Sequence, residues 1–443
     1  MDASNNLYNF EKKIFHYIKH YRKMSLPKKL LSKEYPLGDA SFEARVVDVY
    51  SASANANTTY THGDRILFSV PAFGRSFIDL SKTFMKFDAD IDCASGKCRF
   101  NEGLPVFERV VIRCSGVTIE DISGYYSLEK VMDLLHSKQE DFVGNMTGRY
   151  DYDNYGNTTD TTVADIQMNK TTYIKQLHTG VLGVKDYFFP VHRLNNSGLE
   201  IELTLSPTPV ALKQVVAATT VTWALSNVKL QVHLIKVSDE FFKRYNAAAS
   251  NSELVLPITT YRRHVSNIPS GQTDSVIYVN DNTKNLKRSY TIFRNNPGSI
   301  GNTEEPAFLK GSGDVGNELI RYQYRYMSRS FPEAPVEVTA GVDTLFLANT
   351  LVNSGHELMG DKPVLAKTYA DNFLVCQDFK YSDDMMINGL NLNATGSPLI
   401  LEVRFNGTGV ACLVETFTET SAEVVINDIG NVSIVQKSLM TPQ

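Results

Sequence analysis

The sequence predicts an all-β protein built from two antiparallel domains in tandem, and three observations predict it. First, apolar and polar residues alternate without a break in Leu199–Leu205, Val228–Leu234, Tyr322–Tyr326 and Leu401–Phe405. Strict alternation marks a strand with one face buried and the other wet. Second, helical periodicity is confined to a few short segments that never alternate with strands, so a parallel sheet of βαβ units is disfavoured. Third, the chain has 443 residues, too many for one ordinary domain. Composition agrees: 42% hydrophobic and 21% charged residues allow real cores, and 22 Tyr with 23 Phe suit pleated, half-buried surfaces.

Residues 7–23 read as a helix. Leu7, Phe10, Ile14, Tyr17, Ile18 and Tyr21 recur at spacings of three and four and form one apolar stripe. Lys12, His16, Lys19, His20 and Lys23 fall on the opposite face, and Pro27 discourages continuation. Lys13, Arg22, Lys28, Lys29 and Lys33 add to the charge. Eight basic residues stand against three acidic ones in the first 35, a net of +5 within a total of −5. A basic arm (residues 1–37) on an acidic body points to an anionic partner for the arm alone, either nucleic acid or a membrane surface. Two readings stay open: a helix packed on its own domain, or an arm lying on a membrane or on packaged genome.

From about residue 40 the period changes to that of strands. Helices are expected at Ser127–His136, Asp239–Ala249 and Val342–Leu351, and turn-rich stretches at Asn154–Asp160 and Asn295–Gly301. The single tryptophan, Trp223, falls in an expected strand Thr219–Leu225. The helix Asp239–Ala249 lies near the midpoint, between the long strand Asn227–Val237 and a new strand block, Leu254–Val265. The domain boundary is placed there, giving a first domain of residues 38–237 and a second of 238–443. About 200 residues suit an eight-stranded sandwich with long loops. Arg75-Ser76-Phe77 and Arg288-Ser289-Tyr290 echo one another at comparable places, but three residues are too few to establish a repeat.

The motifs that carry chemistry are weak. Gly311-Ser312-Gly313-Asp314-Val315-Gly316 has the G-x-G-x-x-G spacing but lacks the preceding buried strand and the following helix of a dinucleotide site, so it reads as a loop. Cys93 and Cys98 flank a turn at Ser95-Gly96, read as a hairpin with two incidental thiols, since no further zinc ligands stand at a recognisable spacing. With Cys114, Cys376 and Cys412 the five cysteines are too sparse and odd in number for a disulfide framework. The nine histidines form no metal-binding pattern. The acid pairs Glu120-Asp121, Glu304-Glu305 and Asp383-Asp384 read as solvated loops or weak cation sites, because neighbours on a strand point to opposite faces. There is no G-x-S-x-G and no P-loop. No catalytic, cofactor or metal residue is therefore assigned. No secretory signal or stretch of about 20 apolar residues is evident, so the eight N-x-S/T sequons are expected to go unused.

Several segments resemble the double-jelly-roll major capsid proteins of eukaryotic DNA viruses, of the Polinton-like virus, adintovirus and large-virus type. Ser69-Val70-Pro71-Ala72-Phe73-Gly74-Arg75-Ser76-Phe77-Ile78-Asp79-Leu80 is similar to the early strand and turn of their first roll. Val110–Tyr126 is similar to a strand, turn and acidic pair leading into a short helix. Phe188–Leu205 carries an F-P-x-x-x-L-N-N approach to a strand, and Leu225–Val237 resembles the strand that closes the first roll. In the second half, Lys287–Phe293 is similar to a basic-serine-aromatic strand, and Gly389–Phe405 with Thr416–Asn427 to the closing strands. The resemblance covers roughly residues 40–440. Gly144–Lys170, rich in Tyr, Asn and Thr, departs from it and is taken as a surface loop.

The resemblance implies a double jelly roll and a non-enzymatic structural role in the virion. It implies a homotrimeric, pseudo-hexagonal capsomer of an icosahedral shell, contacting neighbouring capsomers, penton proteins and minor capsid proteins. In such a shell the N-terminal arm lies inside, so Leu7, Phe10, Lys12, Lys13, Ile14, Ile18, Lys19, Tyr21, Arg22 and Lys23 are the candidate residues facing an internal membrane or packaged DNA. Two alternatives differ in readable ways. A minor capsid or spike protein would show a single sandwich with a fibrous stalk. A sandwich enzyme or carbohydrate binder would show clustered histidines or exposed tryptophan.

Overall fold

The computed structural model describes residues 42–436 apart from 53–57, 72–73, 94–96, 101–103, 137–170, 196–197, 217–220, 250–252, 295–317, 338–373, 381–388, 394–396 and 407–410. The expected arm, the helix Val342–Leu351, the glycine-rich segment 311–316 and the acid pairs Glu304-Glu305 and Asp383-Asp384 lie outside the described residues.

The first half forms two facing four-stranded antiparallel sheets. One has the order β1 (Phe42–Tyr50), β11 (Val221–Val237), β4 (Ser76–Cys93), β8 (Thr171–Gln176), with the short β2 (Thr59–Thr61) added to β11. The other runs β3 (Arg65–Val70), β9 (Leu199–Leu205), β6 (Phe107–Cys114), β7 (Val117–Ser123). Strand β5 (Lys97–Phe100) pairs with β10 (Leu212–Val216). The arms flanking Ser95-Gly96 are therefore not a hairpin: among the described residues, β5 finds its ladder partner 112 to 119 residues downstream, at Leu212–Val216, rather than in β4.

The second half repeats the plan. One sheet has the order β12 (Leu254–Ile268), β19 (Cys412–Ile426), β14 (Leu286–Arg294), β17 (Leu374–Asp378), extended by β20 (Val432–Val435) on β19. The other runs β13 (Asp274–Val279), β18 (Leu399–Asn406), β15 (Glu318–Tyr326), β16 (Arg329–Glu337). Without the accessory strands β2, β5, β10 and β20, each half has eight strands among the described residues, in the order 1-8-3-6 facing 2-7-4-5. That is the connectivity of a jelly roll, so the fold is a double jelly roll.

The local reasons are plain in the sequence. In β9 the side chains of Leu199, Ile201, Leu203 and Leu205 are all 1% exposed or less, each contributing about 1.5–3 kcal/mol by leaving water. Strands β4 and β11, with 18 and 17 residues, reach roughly 55–60 Å at about 3.3 Å per residue. Their ladder shifts register at two irregularities, one between Ser226 and Lys229. There Asn227 adopts φ 51°, a left-handed conformation that asparagine tolerates better than most residues. Helix α1 (Tyr125–His136) buries Tyr125, Leu128, Val131 and Met132 on one face. After the one-turn helix α2 (Thr208–Ala211), helix α3 (Asp239–Ala249) carries Asp239 and Glu240 in its first turn, where the helix dipole favours them. It packs Phe241 and Tyr245 on Phe77, Phe188, Ile235 and Val237.

The two rolls are equivalent in detail. The echo Arg75-Ser76-Phe77 and Arg288-Ser289-Tyr290 falls on the third strand of each, at the start of β4 and within β14. An isolated bridge ties that strand to the loop before the seventh in both, as Ile78–Phe189 and Leu286–Leu390. Those loops share a sequence likeness, Leu194-Asn195-Asn196-Ser197-Gly198 against Leu392-Asn393-Ala394-Thr395-Gly396. The hairpins β6–β7 and β15–β16 both turn through a left-handed first residue, Ser115 at φ 50° and Met327 at φ 54°.

Candidate functional site

The side chains that set the geometry of the molecule converge where the rolls meet. Strand β7, the free edge of its sheet, lies against β12 of the second roll, and the buried apolar side chains of both rolls join in one cluster. Alternation along β7 sends Asp121 outward, where it takes a hydrogen bond of 2.7 Å from Arg109 Nε. The same alternation sends Glu120 into the seam at 2% exposure. Glu120 is thus no solvated acid. Its Oε1 accepts the N–H groups of Gly180 (3.1 Å) and Tyr261 (3.0 Å), and its Oε2 that of Val181 (3.2 Å). One carboxylate therefore satisfies backbone donors of both rolls, which burial would otherwise leave unpaired. Burial pushes the carboxyl up to about 7, against the opposing pull of these amides and of the Thr179 side chain.

Two glycines let the rolls approach. A Cβ on Gly180 would stand 1.9 Å from the Thr259 carbonyl oxygen and 2.3 Å from its carbon, both backbone atoms of β12. Gly124, at φ 59°, takes a conformation that favours glycine, and the Arg263 side chain lies 2.4 Å from where a Cβ would be. Further bonds cross the seam from Tyr187 Oη to the Pro257 carbonyl (2.9 Å) and from Ser115 Oγ to the Gly430 carbonyl (2.9 Å).

Beside Glu120 lies a second, charged cluster. Glu415 of β19 is fully buried and binds Arg263 of β12 and Arg294 of β14, the latter at 3.1 Å. Arg294 in turn donates to Ser127 Oγ and Tyr126 Oη of α1, each at 3.1 Å, and its guanidinium sits 5.1 Å from the Tyr126 ring centroid. Burial raises the pKa of Glu108 on β6, and Arg263 partly offsets the rise. Between the turn 179–187 and β12 runs a cleft of about 1030 Å3, lined among others by Tyr187, Thr259, Lys287 and Glu419. Lys287 is held below its ordinary value, first by burial.

Glu120, Tyr187, Ser115 and Arg294 each bond across the seam, an arrangement that fixes one roll against the other. Elsewhere His192, lowered to about 4 by burial, stacks edge-on between Phe77, Phe242 and Tyr245 as part of the α3 packing. Trp223 is 3% exposed and packs edge-to-face on Phe100, so it offers no sugar platform. Cys114, Cys376 and Cys412 are buried thiols. Among the described residues no three His, Cys, Asp or Glu side chains gather as a metal site requires.

The arm residues singled out from the sequence (Leu7, Phe10, Lys12, Lys13, Ile14, Ile18, Lys19, Tyr21, Arg22, Lys23) all lie outside the described residues. Sequence reasoning missed Gly124, Gly180, Arg263, Arg294 and Glu415. One signal was available: Glu415, Glu419 and Glu423 recur every fourth residue along a strand with no other charged residue. That spacing puts three acids on one face, which needs cations opposite.

No protein-family model matches the chain, and neither does any curated protein. Solved structures do match. VP54 of PBCV-1, fitted into a reconstruction of the virophage Sputnik, aligns over 92% of this chain and 100% of its own, with a TM-score of 0.61 and 11% identity. The mavirus major capsid protein aligns over 90% of this chain and 92% of its own, with a TM-score of 0.52 and 10% identity. The Faustovirus major capsid protein aligns over 96% and 98%, with a TM-score of 0.50 and 11% identity. At such identities the likeness establishes the double-jelly-roll fold along nearly the whole chain.

Proposed function

We propose that the chain is the major capsid protein of an icosahedral DNA virus. Three copies form a capsomer of pseudo-hexagonal outline, located in the virion shell and free of catalytic activity. The observation that carries this reading is the pairing of two rolls with one strand order on a buried, bonded seam. Two equivalent wedges held rigidly in one chain make six from three copies, the number that tiles a hexagonal lattice. The likeness to the mavirus and Faustovirus major capsid proteins over 90% or more of both chains supports it.

The division into an arm (1–37), a first roll (38–237) and a second roll (238–443) is part of the proposal, supported by the segregation of described strands: none before Val237 pairs with one after Leu254. The arm faces the shell interior, an internal membrane or packaged DNA, through its apolar stripe and basic face; neighbouring capsomers, penton and minor capsid proteins are the remaining partners. Light scattering on the full chain after size exclusion tests the core of the reading. A mass of three chains, with hexagonal outlines in negative stain, is expected; a monomer at micromolar concentration refutes it. Deleting residues 1–26 is expected to spare trimers and to impair shell assembly or liposome binding. Normal assembly with undiminished liposome binding would reduce the arm to packing.

A further inference from the structure

We infer that the free edge of β13 in the second roll receives an extended segment of another protein as an added strand. The edge itself stands on the fold alone. That its occupant is a different protein, and not a second copy, rests on the capsomer reading.

The two rolls present equivalent edges with different cover. Strands β3 and β13 each end their sheet, and each runs beside the seventh strand in the same register, with Leu67 opposite Glu202 and Val276 opposite Glu402. The Leu205 N–H donates to the Asp64 carbonyl (3.0 Å) and the Phe405 N–H to the Thr273 carbonyl (2.7 Å). Inward and outward bonding alternate along an antiparallel edge strand. The main-chain groups of Arg65, Leu67 and Ser69, and of Asp274, Val276 and Tyr278, therefore point away from the sheet. In the first roll the Ala52 N–H donates to the Leu67 carbonyl (2.8 Å). That cover comes from the connection between the first and second strands, residues 51–64. The same connection in the second roll is residues 269–273, too short to reach back over β13. Among the described residues no group bonds to the main chain of Val276 or Tyr278 on this free side.

The side chains agree. Val276 and Tyr278 stand 51% and 54% exposed on the outer face, while Ile277 and Val279 are buried in the core. Free edges commonly carry lysine, proline or a bulge that deters pairing. The opposite edge of the same sheet, β16, has Pro332, Pro335 and a register shift in its ladder. Strand β13 reads Asp-Ser-Val-Ile-Tyr-Val, with no base and no proline, and its ladder is regular. An unguarded edge of β-branched and aromatic residues suits strand addition, in which main-chain bonds give affinity and alternate side chains give specificity. A strand laid there sets apolar side chains on Val276 and Tyr278 and a basic one beside Asp274, whose side chain is 67% exposed. A second copy of β13 joins antiparallel only when the two copies are inverted relative to one another. Copies in one shell layer share an orientation, so the added strand belongs to a different protein.

The test uses the full-length protein and a fluorescein-labelled peptide that alternates valine and threonine and carries lysine at both ends. Hydrogen exchange, read at single residues by mass spectrometry, is expected to be fast at the Val276 and Tyr278 amides of the free chain and to slow when the peptide binds. Val276→Pro removes an outward N–H that the sheet does not use, so it is expected to melt like the parent and to weaken peptide binding by about tenfold. Tyr278→Lys, at an exposed position, is expected to weaken binding with the fold intact. Slow exchange in the free chain means that the chain covers its own edge, and overturns the inference. So does a peptide that fails to bind, or that binds both variants as tightly as the parent. Val276→Pro is expected to form trimers like the parent. A variant unable to do so assigns the edge to a second copy, overturning the inference without touching the capsomer reading. A parent that never assembles refutes the capsomer reading, and with it the case against a second copy, whatever the peptide does.

Discussion

Gly180→Ala is the sharpest probe of the seam. Gly180 does not occupy the left-handed region, so alanine suits its backbone and would on its own stabilise the chain by about 0.4–1 kcal/mol through a less flexible unfolded state. Across the seam, however, the new methyl would meet the Thr259 carbonyl oxygen at 1.9 Å and carbon at 2.3 Å. Neither atom can rotate away, since both belong to the β12 backbone and are held by its ladder with β19. Ordinary contact near 3.4 Å demands that the turn and the strand part by about 1.5 Å. That movement stretches the hydrogen bonds from Gly180, Val181 and Tyr261 to Glu120 past their useful range. Overpacking costs about 1–3 kcal/mol, and a buried donor left unsatisfied costs about 1–3 more. Set against the unfolded-state gain, these costs leave an expected loss of about 1–5 kcal/mol, located at the seam. Urea unfolding followed separately by near-ultraviolet absorbance and by limited proteolysis between residues 238 and 253 reads both the size and the place. A variant that unfolds at the parent's midpoint, with the same proteolysis, would refute the claim that this glycine sets the approach of the rolls.

Other expectations follow from the same geometry. Glu120 has a folded pKa of about 7, above its ordinary 4.5, so its contribution is complete below pH 4.5 and is lost as pH rises through 7, by about 3 kcal/mol. Glu120→Gln should remove that part of the slope between about pH 4.5 and 7, and a pH profile parallel to the parent's would show that another group titrates there. Glu415→Ala strands the guanidinium groups of Arg263 and Arg294 and should cost about 3–5 kcal/mol in urea unfolding; a loss under about 1 kcal/mol would mean that water or a relaxed rotamer replaces the carboxylate. In the first roll, Lys175 and Glu129 pair at 2.8 Å with 3% and 1% side-chain exposure. Lys175→Met should cost about 3–5 kcal/mol, and the double variant Lys175→Met/Glu129→Leu should recover most of it; equal losses in both would assign the cost to packing.

The strands with one wet face were legible because alternation is a local signal: β9 was bounded to the residue, and Asp239–Ala249 likewise as a helix. Strands with both faces covered were harder to read. In β19 the run from Val414 to Ala422 is buried throughout, and its acids face the first roll instead of solvent, so period two carries no contrast. The seam was hidden for the same reason. Whether Glu120 meets water or the Tyr261 amide depends on a strand about 140 residues away, and no spacing within β7 encodes that. Gly180 looked like any turn glycine, because the atom that forbids a side chain belongs to Thr259.

A seam inside one chain and a contact between copies call for different chemistry. The β7 seam forms once, during folding, between segments already tethered, so it tolerates buried acids and arginines whose desolvation is offset only by close pairing. A contact between copies forms after folding and is made from surfaces that must first stay soluble in the free chain, so a Glu120 or a Glu415 is expected inside the chain and not between copies. Glu120→Met makes this measurable: it removes the acceptor of the Gly180, Val181 and Tyr261 amides and should lower the stability of the single chain in urea. A variant as stable as the parent would refute the claim that these amides depend on the carboxylate.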